Sequence, residues 1–433
     1  MPTPPAPSTR PSPPPAEGGP SGRVGLRAGV VWTVLGQGLY AATQWGIVAL
    51  LARLGSPQVV GTYALGLGLV SPLFLLLGLQ LRSVQATDAG EARPFGGYFS
   101  LRTWSMGLAL LATAGLAALY PQAAGVTLWL GVAKALEGLS DVIYGLMQRQ
   151  ERLDWVSRST MLRGGLGLGL LAALYAATGS VALGAAGVAL AGLGVLLAHD
   201  LPLARRLAPG RWWTRHIPPD LPRLALPLGV VMGLVSLGGT LPRLFLERSH
   251  GSAAVGVFSA LGYVPVAGSV VVVALGTAFT TRLSQRFAAG DRGGFVRLLG
   301  QLSAAAALFG LGLVALSLLA GERVLGLLYG PEYAGEGRAF VWLAAAGALG
   351  YLASCAGFAV TAARRFREQL PLFAGVTLLL TLACAWLIPP YGVTGAALAG
   401  LIGAGAQLAG SLLIVGAALR AAPPTPSPSP GDA

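Results

Sequence analysis

Lys134, Glu137 and Asp141 stand at i, i+3 and i+7 in otherwise apolar sequence. That spacing puts all three on one face of a helix. If the helix begins near Gly125, a rise of 1.5 Å per residue sets Lys134 about 14 Å deep. Ionisable groups at such depth in hydrocarbon are costly and are functional candidates by default. A cation with two carboxylates can bind a charged headgroup or, through Glu137 or Asp141, couple to an ion. The same three residues can instead neutralise one another and hold helices together.

Two further stripes are polar. Thr33, Gln37, Tyr40 and Gln44 recur at i, i+4, i+7 and i+11, and Ser236, Thr240, Arg243 and Glu247 repeat that spacing. Each forms a line along one helix face. Such lines can border a shared wet cavity or join helices through hydrogen bonds. Arg53, Arg243 and Arg248 offer the bidentate fork that suits phosphate, so a cavity containing them fits an anionic pyrophosphate headgroup. Their other reading is snorkelling to the interface. Pro72, Pro227, Pro242 and Pro265 interrupt or bound helices, as kinks for a rocking motion or as packing features.

Several chemistries find no residues. The one lysine lies in no Gly-rich phosphate loop, so nucleotide hydrolysis is not expected. His199, His216 and His250 are scattered, and no metal or cofactor is expected. Cys355 and Cys384 lie in apolar stretches and read as small buried residues. No outer loop could hold a catalytic domain, and the first carries no acidic residue, against a lipid-sugar glycosyltransferase. The expectation is a protein that is not an enzyme.

The elements that must position these side chains are membrane helices. The 433 residues are 54% hydrophobic and 10% charged, with mean hydropathy +0.68. Apolar stretches of about 20 residues recur, the length that spans a bilayer. Spans are expected at about 28–52, 60–81, 99–120, 124–147, 160–178, 181–198, 224–246, 254–280, 295–319, 337–362, 369–388 and 393–419. The Pro-rich segments 1–24 and 421–433 read as disordered tails. The first span reads as an uncleaved anchor. A basic loop at 201–222 divides an N-lobe, 25–200, from a C-lobe, 223–420.

The net charge of +13 could suggest nucleic acid in a soluble protein, but topology explains it here. With the N-terminus inside, the cytoplasmic segments take nearly all the arginines, Arg82, Arg102, Arg163, Arg205 and Arg206 among them. Only Arg53, Arg243, Arg248, Arg323 and Arg338 fall at outer ends. This asymmetry sets both termini in the cytoplasm and supports an even number of spans. No nucleic-acid partner is expected.

LARLGSPQVVGTYAL (51–65) aligns with LERSHGSAAVGVFSA (246–260) at a constant offset of 195. Leu51, Arg53, Val60 and Gly61 match Leu246, Arg248, Val255 and Gly256, and Tyr63 faces Phe258. Six spans per half is even, so both halves point the same way. The expected fold is all-α and integral to the membrane, about 12 helices in two six-helix lobes related by a pseudo-two-fold axis along the membrane normal.

The first of these segments, with 135–159, 241–264 and LLYGPEYA (327–334), resembles the polysaccharide flippases of the multidrug/oligosaccharidyl-lipid/polysaccharide transporter superfamily. The likeness covers roughly residues 25 to 420. It implies two lobes around a central cavity and transfer of polyprenyl-pyrophosphate-linked oligosaccharide from the cytoplasmic to the outer leaflet by alternating access, for surface polysaccharide or O-antigen biosynthesis. Lys134, Arg243, Arg248 and Arg53 would hold phosphate. Gln37, Tyr40 and Gln44 would meet sugar hydroxyls. Arg53 stands later in its span than the first-helix arginine of related peptidoglycan-precursor flippases. The setting implied is a bacterial inner membrane, with a monomeric unit and envelope polysaccharide assembly proteins as partners. A cation-coupled multidrug exporter and a peptidoglycan-precursor flippase share the fold and stand as alternatives.

Overall fold

The computed structural model describes residues 26–87, 93–210, 212–214 and 217–421. The tails expected at 1–24 and 421–433 lie outside these, save Ala421, as do Arg211, Arg215 and His216 of the inter-lobe loop. Among the described residues the chain is helical throughout, and eight helices are long and apolar enough to cross a membrane. Asp220–Ala288 and Gln369–Ala421 each hold two crossings, turning at Gly251 (φ 77°) and Gly392 (φ 54°), in backbone regions that favour glycine. Phe95–Leu119 and Ala124–Arg149 cross too, made less apolar by the charges they carry. The total is twelve.

In chain order they are α1 (Leu26–Leu54), α2 (Pro57–Leu77), α3 (Phe95–Leu119), α4 (Ala124–Arg149), α5 (Leu153–Thr178) and α6 (Val181–Val195). The second set is α7 (220–250), α8 (252–288), α9 (Arg292–Tyr329), α10 (Gly337–Ala362), α11 (369–391) and α12 (393–421). α2 breaks at Leu79 and Gln80, both with positive φ, and resumes as a short helix, Leu81–Thr87. α6 continues through a π-helical turn, Leu196–Asp200, into Leu201–Leu207, past its expected end at 198. An apolar count stops at His199, but the backbone does not. Asp291 caps α9: its carboxylate accepts from the Gly294 amide at 2.7 Å and from Arg286 at 2.6 Å. These bonds hold its carboxyl below the usual range.

Even crossings return the chain to one face. That face carries the connecting residues 93–94, 150–152, 208–210, 212–214, 217–219, 289–291 and 363–368 and most of the described arginines; it is called the basic face below. The opposite face carries the tight connections at 55–56, 179–180, Gly251 and Gly392.

The outer surface is what lipid requires. Leu319, Trp386 and Leu413 are 87%, 81% and 75% exposed. Hydrophobic burial does not drive helices together in such a solvent, so close packing of small residues carries more of the association. The tightest case lies between the lobes, near the opposite face. A methyl on Gly61 of α2 would overlap the Ser252 carbonyl oxygen and stand 3.0 Å from the Gly256 amide. A methyl on Gly256 of α8 would overlap the Pro57 carbonyl oxygen and stand 2.9 Å from the Gly61 amide. Gly61 and Gly256, like Pro57 and Ser252, are related by the offset of 195. A contact in which i meets j′ and j meets i′ is the signature of a two-fold axis. Both helices run from the opposite face toward the basic face, so that axis lies along the membrane normal.

Core packing shows where the lobes part. Toward the opposite face one cluster runs through both lobes, joining Leu51, Tyr63 and Leu171 to Leu261, Tyr329 and Phe340. Toward the basic face the clusters separate. One gathers α2 to α6 with the first turns of α7, and the other α8, α9, α10 and α12.

The glycine contact makes a direct test. Gly61→Ala and Gly256→Ala are each expected to lower unfolding stability in detergent by about 1–3 kcal/mol, the usual cost of overpacking. Gly38→Ala, with open space around it, should not. Equal midpoints for the three variants would refute the reciprocal packing.

Candidate functional site

Polar side chains of α1 to α5, all in the first lobe, line a cavity of about 530 Å³. Gln37 and Tyr40 come from α1, Gln80 and Arg82 from the break after α2, and Arg102 from α3. Glu137, Asp141, Tyr144 and Gln148 come from α4, and Thr160 and Arg163 from α5. α4 supplies one continuous polar face because 137, 141, 144 and 148 follow the helical period. A smaller cavity of about 150 Å³ adjoins it, shares Phe74, Leu75 and Glu137, and reaches Lys134.

The three charges of α4 do not form one cluster. Lys134 Nζ donates to Glu137 Oε2 at 2.8 Å. Asp141 turns away from Lys134 and takes Arg102 at 2.8 Å and Arg82 at 3.8 Å. Arg82 also donates through Nε to Gln148 at 3.1 Å. Deeper in the N-lobe a second network spans three helices. Arg163 donates to Ser140 Oγ, which donates to Asp200 Oδ2 at 2.6 Å. Arg163 lies 3.6 Å from the Asp200 carboxylate, and His199 Nδ1 lies 3.0 Å from its other oxygen. Asp200 is fully buried at the end of the π-helical turn; such turns often mark functional sites. Tyr144 and Ser159 share a hydrogen bond of 2.6 Å beside it.

The structure therefore brings together Gln37, Tyr40, Lys134, Glu137 and Asp141. Arg243 lines neither of these cavities and lies beside Gly68 of α2. Arg243 Nε donates to Ser259 at 3.0 Å and Nη1 to the Gly239 carbonyl at 2.8 Å. Thr240 and Glu247 of its stripe serve helix joining. Thr240 donates to the Gly68 carbonyl at 3.0 Å, and Glu247 accepts from Gln122 at 3.0 Å. Gln44 is half-buried on α1 but does not line the main cavity. Arg53 and Arg248 lie away from it, at the opposite face. Arg53 Nε donates to the Leu328 carbonyl at 3.3 Å, at the end of α9, and Arg248 is exposed.

Arg82, Arg102, Arg163 and Asp200 are the lining and supporting residues that sequence reasoning passed over. Arg102 and Arg163 count as loop charges if α3 and α5 start at 99 and 160. α5 starts at Leu153, so Arg163 stands about 15 Å along it. The start was readable: the polar turn Gln150–Glu151–Arg152 precedes an acidic first-turn residue, Asp154. Pro94 before α3 is a similar mark. Both arginines are buried, at 3% and 7% exposure, and each keeps one Nε without a hydrogen-bond partner. Among the described residues no three metal-ligating side chains converge.

No family model matches the chain. It is 25% identical over 374 residues to a capsular polysaccharide biosynthesis protein, CapF, of Staphylococcus aureus, covering 83% of this chain and 91% of that protein. Its fold is that of solved transporters of the MOP superfamily. A multidrug resistance transporter of the MATE family in an inward-facing conformation superposes with a TM-score of 0.72 at 17% identity, over 89% of this chain and 96% of the other. The lipid II flippase MurJ, in an inward closed conformation, gives 0.71 at 12% identity, over 88% and 87%. The two-lobe, twelve-helix architecture and the resemblance to polysaccharide flippases stand with these likenesses.

Breaking a buried ion pair from one side costs about 3–5 kcal/mol, because the remaining charge is stranded, whereas replacing both partners costs far less. Arg163→Leu is therefore expected to lower the unfolding midpoint in detergent sharply. Arg163→Leu/Asp200→Leu should recover most of the loss. A double variant no better than the single one would count against the pair as the reason Asp200 tolerates burial.

Proposed function

We propose that this multi-pass membrane protein flips a polyprenyl-pyrophosphate-linked oligosaccharide from the cytoplasmic to the outer leaflet by alternating access, for surface polysaccharide biosynthesis. One observation carries the reading. Three arginines line the cavity, Arg82, Arg102 and Arg163, against two carboxylates, Glu137 and Asp141, and each carboxylate is matched by a cation. A cationic lining beside hydroxyl- and amide-bearing side chains suits an anionic, hydroxyl-rich headgroup. An exporter of lipophilic cations calls for the reverse: an unpaired carboxylate and an apolar wall. The likeness to a capsular polysaccharide biosynthesis protein points the same way.

By the positive-inside rule the basic face, with both chain ends, would look into the cytoplasm, and the membrane would be a bacterial inner membrane. The lobes, 25–200 and 223–420 about the 201–222 loop, would then be parted toward the cytoplasm. The headgroup enters there, and the polyprenyl tail stays in lipid. Gln37 and Tyr40, with Gln44 further along α1, meet sugar hydroxyls. Arg102, Arg163, Lys134 and Arg243 surround phosphate. Glu137 and Asp141 would couple the cycle to an ion by exchanging their partners as the lobes rock. Arg53 and Arg248 would meet the phosphates only at the release end. The functional unit is a monomer, served by envelope polysaccharide assembly proteins.

Arg163→Lys keeps the charge opposite Asp200 and removes the planar guanidinium fork. In reconstituted vesicles it should slow flipping of a polyprenyl-pyrophosphate oligosaccharide roughly tenfold, the scale of one charge-assisted hydrogen bond, with little change in thermal stability. Flipping at the wild-type rate would remove the phosphate role from Arg163. In drug-sensitive cells the wild-type chain should restore capsule to a flippase-deficient strain without raising drug resistance. The opposite pattern would favour the exporter.

A further inference from the structure

Two arginines away from the basic face share a site the transport reading leaves unused. Arg323, near the end of α9, and Arg338, in the first turn of α10, line one cavity of about 580 Å³ at the opposite face. Its other polar lining is Ser317, Glu322 and Trp342. Both arginines are exposed, and among the described residues neither has an ion-pair partner within 4 Å. Glu322 is the one carboxylate present, and its Cγ is packed close to Gly337. The cavity therefore carries a net positive charge.

Its composition is graded. Leu318 and Leu319 line it on the side turned to lipid, 65% and 87% exposed. Trp342 adds an amphipathic ring of the kind enriched at membrane interfaces. Two guanidinium forks at headgroup level, with aliphatic surface running from them along α9, match a ligand with an oxyanion at one end and hydrocarbon at the other. Basic pockets between membrane helices take anionic lipid headgroups in this way. The cavity shares no residue with the one lined by Gln37 and Arg163. It lies on a wall of the second lobe, not between the lobes, so the lipid available to it is that of the surrounding leaflet.

We propose that this α9–α10 cavity binds the phosphate headgroup of an anionic phospholipid from the leaflet at the opposite face, through Arg323 and Arg338. The site stands apart from the proposed cargo path and does not depend on the flippase reading.

Full-length protein in nanodiscs of phosphatidylcholine with a minor share of phosphatidylglycerol tests it, with retained lipid counted by native mass spectrometry. The wild type should retain phosphatidylglycerol over phosphatidylcholine roughly tenfold above its share, on the scale expected for two arginines at an anionic headgroup. Arg323→Gln/Arg338→Gln should lose that preference while unfolding in lipid-free detergent at the wild-type midpoint. Arg323→Lys/Arg338→Lys, which keeps the charge, should retain part of it and serves if the glutamine variant unfolds early. A wild type without preference, or a glutamine variant that keeps it, overturns the proposal. So does displacement by polyprenyl pyrophosphate or inorganic phosphate at concentrations where phosphatidylglycerol does not compete, since either would make this a site for product or free anion.

Discussion

The close approach of Gly61 and Gly256 is the constraint on which the rest of the molecule depends. In lipid, two helices gain little by hiding apolar side chains from a solvent that is itself apolar. They gain by bringing backbones close, and only glycine allows the overlap seen here. Because the contact is reciprocal, it fixes a symmetry axis as well as a distance. α2 and α8 cross at the opposite face, and α7 packs on α2 nearer the basic face, where a methyl on Gly229 would overlap the Leu76 carbonyl oxygen. Beyond these contacts, packing toward the basic face divides into one cluster of α2 to α6 with the first turns of α7 and another of α8, α9, α10 and α12.

The second organising fact is how charge is kept inside the bundle. Asp200 is fully buried, and Arg102 and Arg163 nearly so. Each is tolerable because it meets an opposite charge, Asp141 for Arg102, and for Arg163 and Asp200 each other with Ser140 between them. The chain spends its carboxylates on this internal matching, and three arginines stand against two carboxylates in the cavity lining.

Much of the architecture was legible in the residues. Twelve spans, their short connections and the offset of 195 follow from hydropathy and from one fifteen-residue match. One pair in that match, Gly61 with Gly256, meets across the lobes. The site was legible only in part. Helical spacing set Lys134, Glu137 and Asp141 on one face, and they do share it, but spacing along one helix cannot say which neighbour each charge meets. Asp141 goes to α3 and the tail of α2, and only tertiary packing decides that. Arg102 and Arg163 were hidden by a boundary error of a few residues, which moves an arginine from the headgroups to the interior. The polar stripe on α7 misled in another way. Thr240 and Glu247 have the residue types of a cavity wall but are taken up in joining helices.

The break after α2 has its own consequence. Leu79 and Gln80 both hold positive φ, a conformation that costs a residue with a side chain roughly 1–2 kcal/mol. Beyond the break, the short helix carries Arg82 onto Asp141 and places Gln80 and Ser83 at the cavity rim. Part of the rim is thus spring-loaded. If Arg82 lets go of Asp141, the backbone has a reason of its own to straighten, and the rim can reshape while the lobes stay still. The rim thus has a bend of its own, separate from the glycine crossing that joins the lobes.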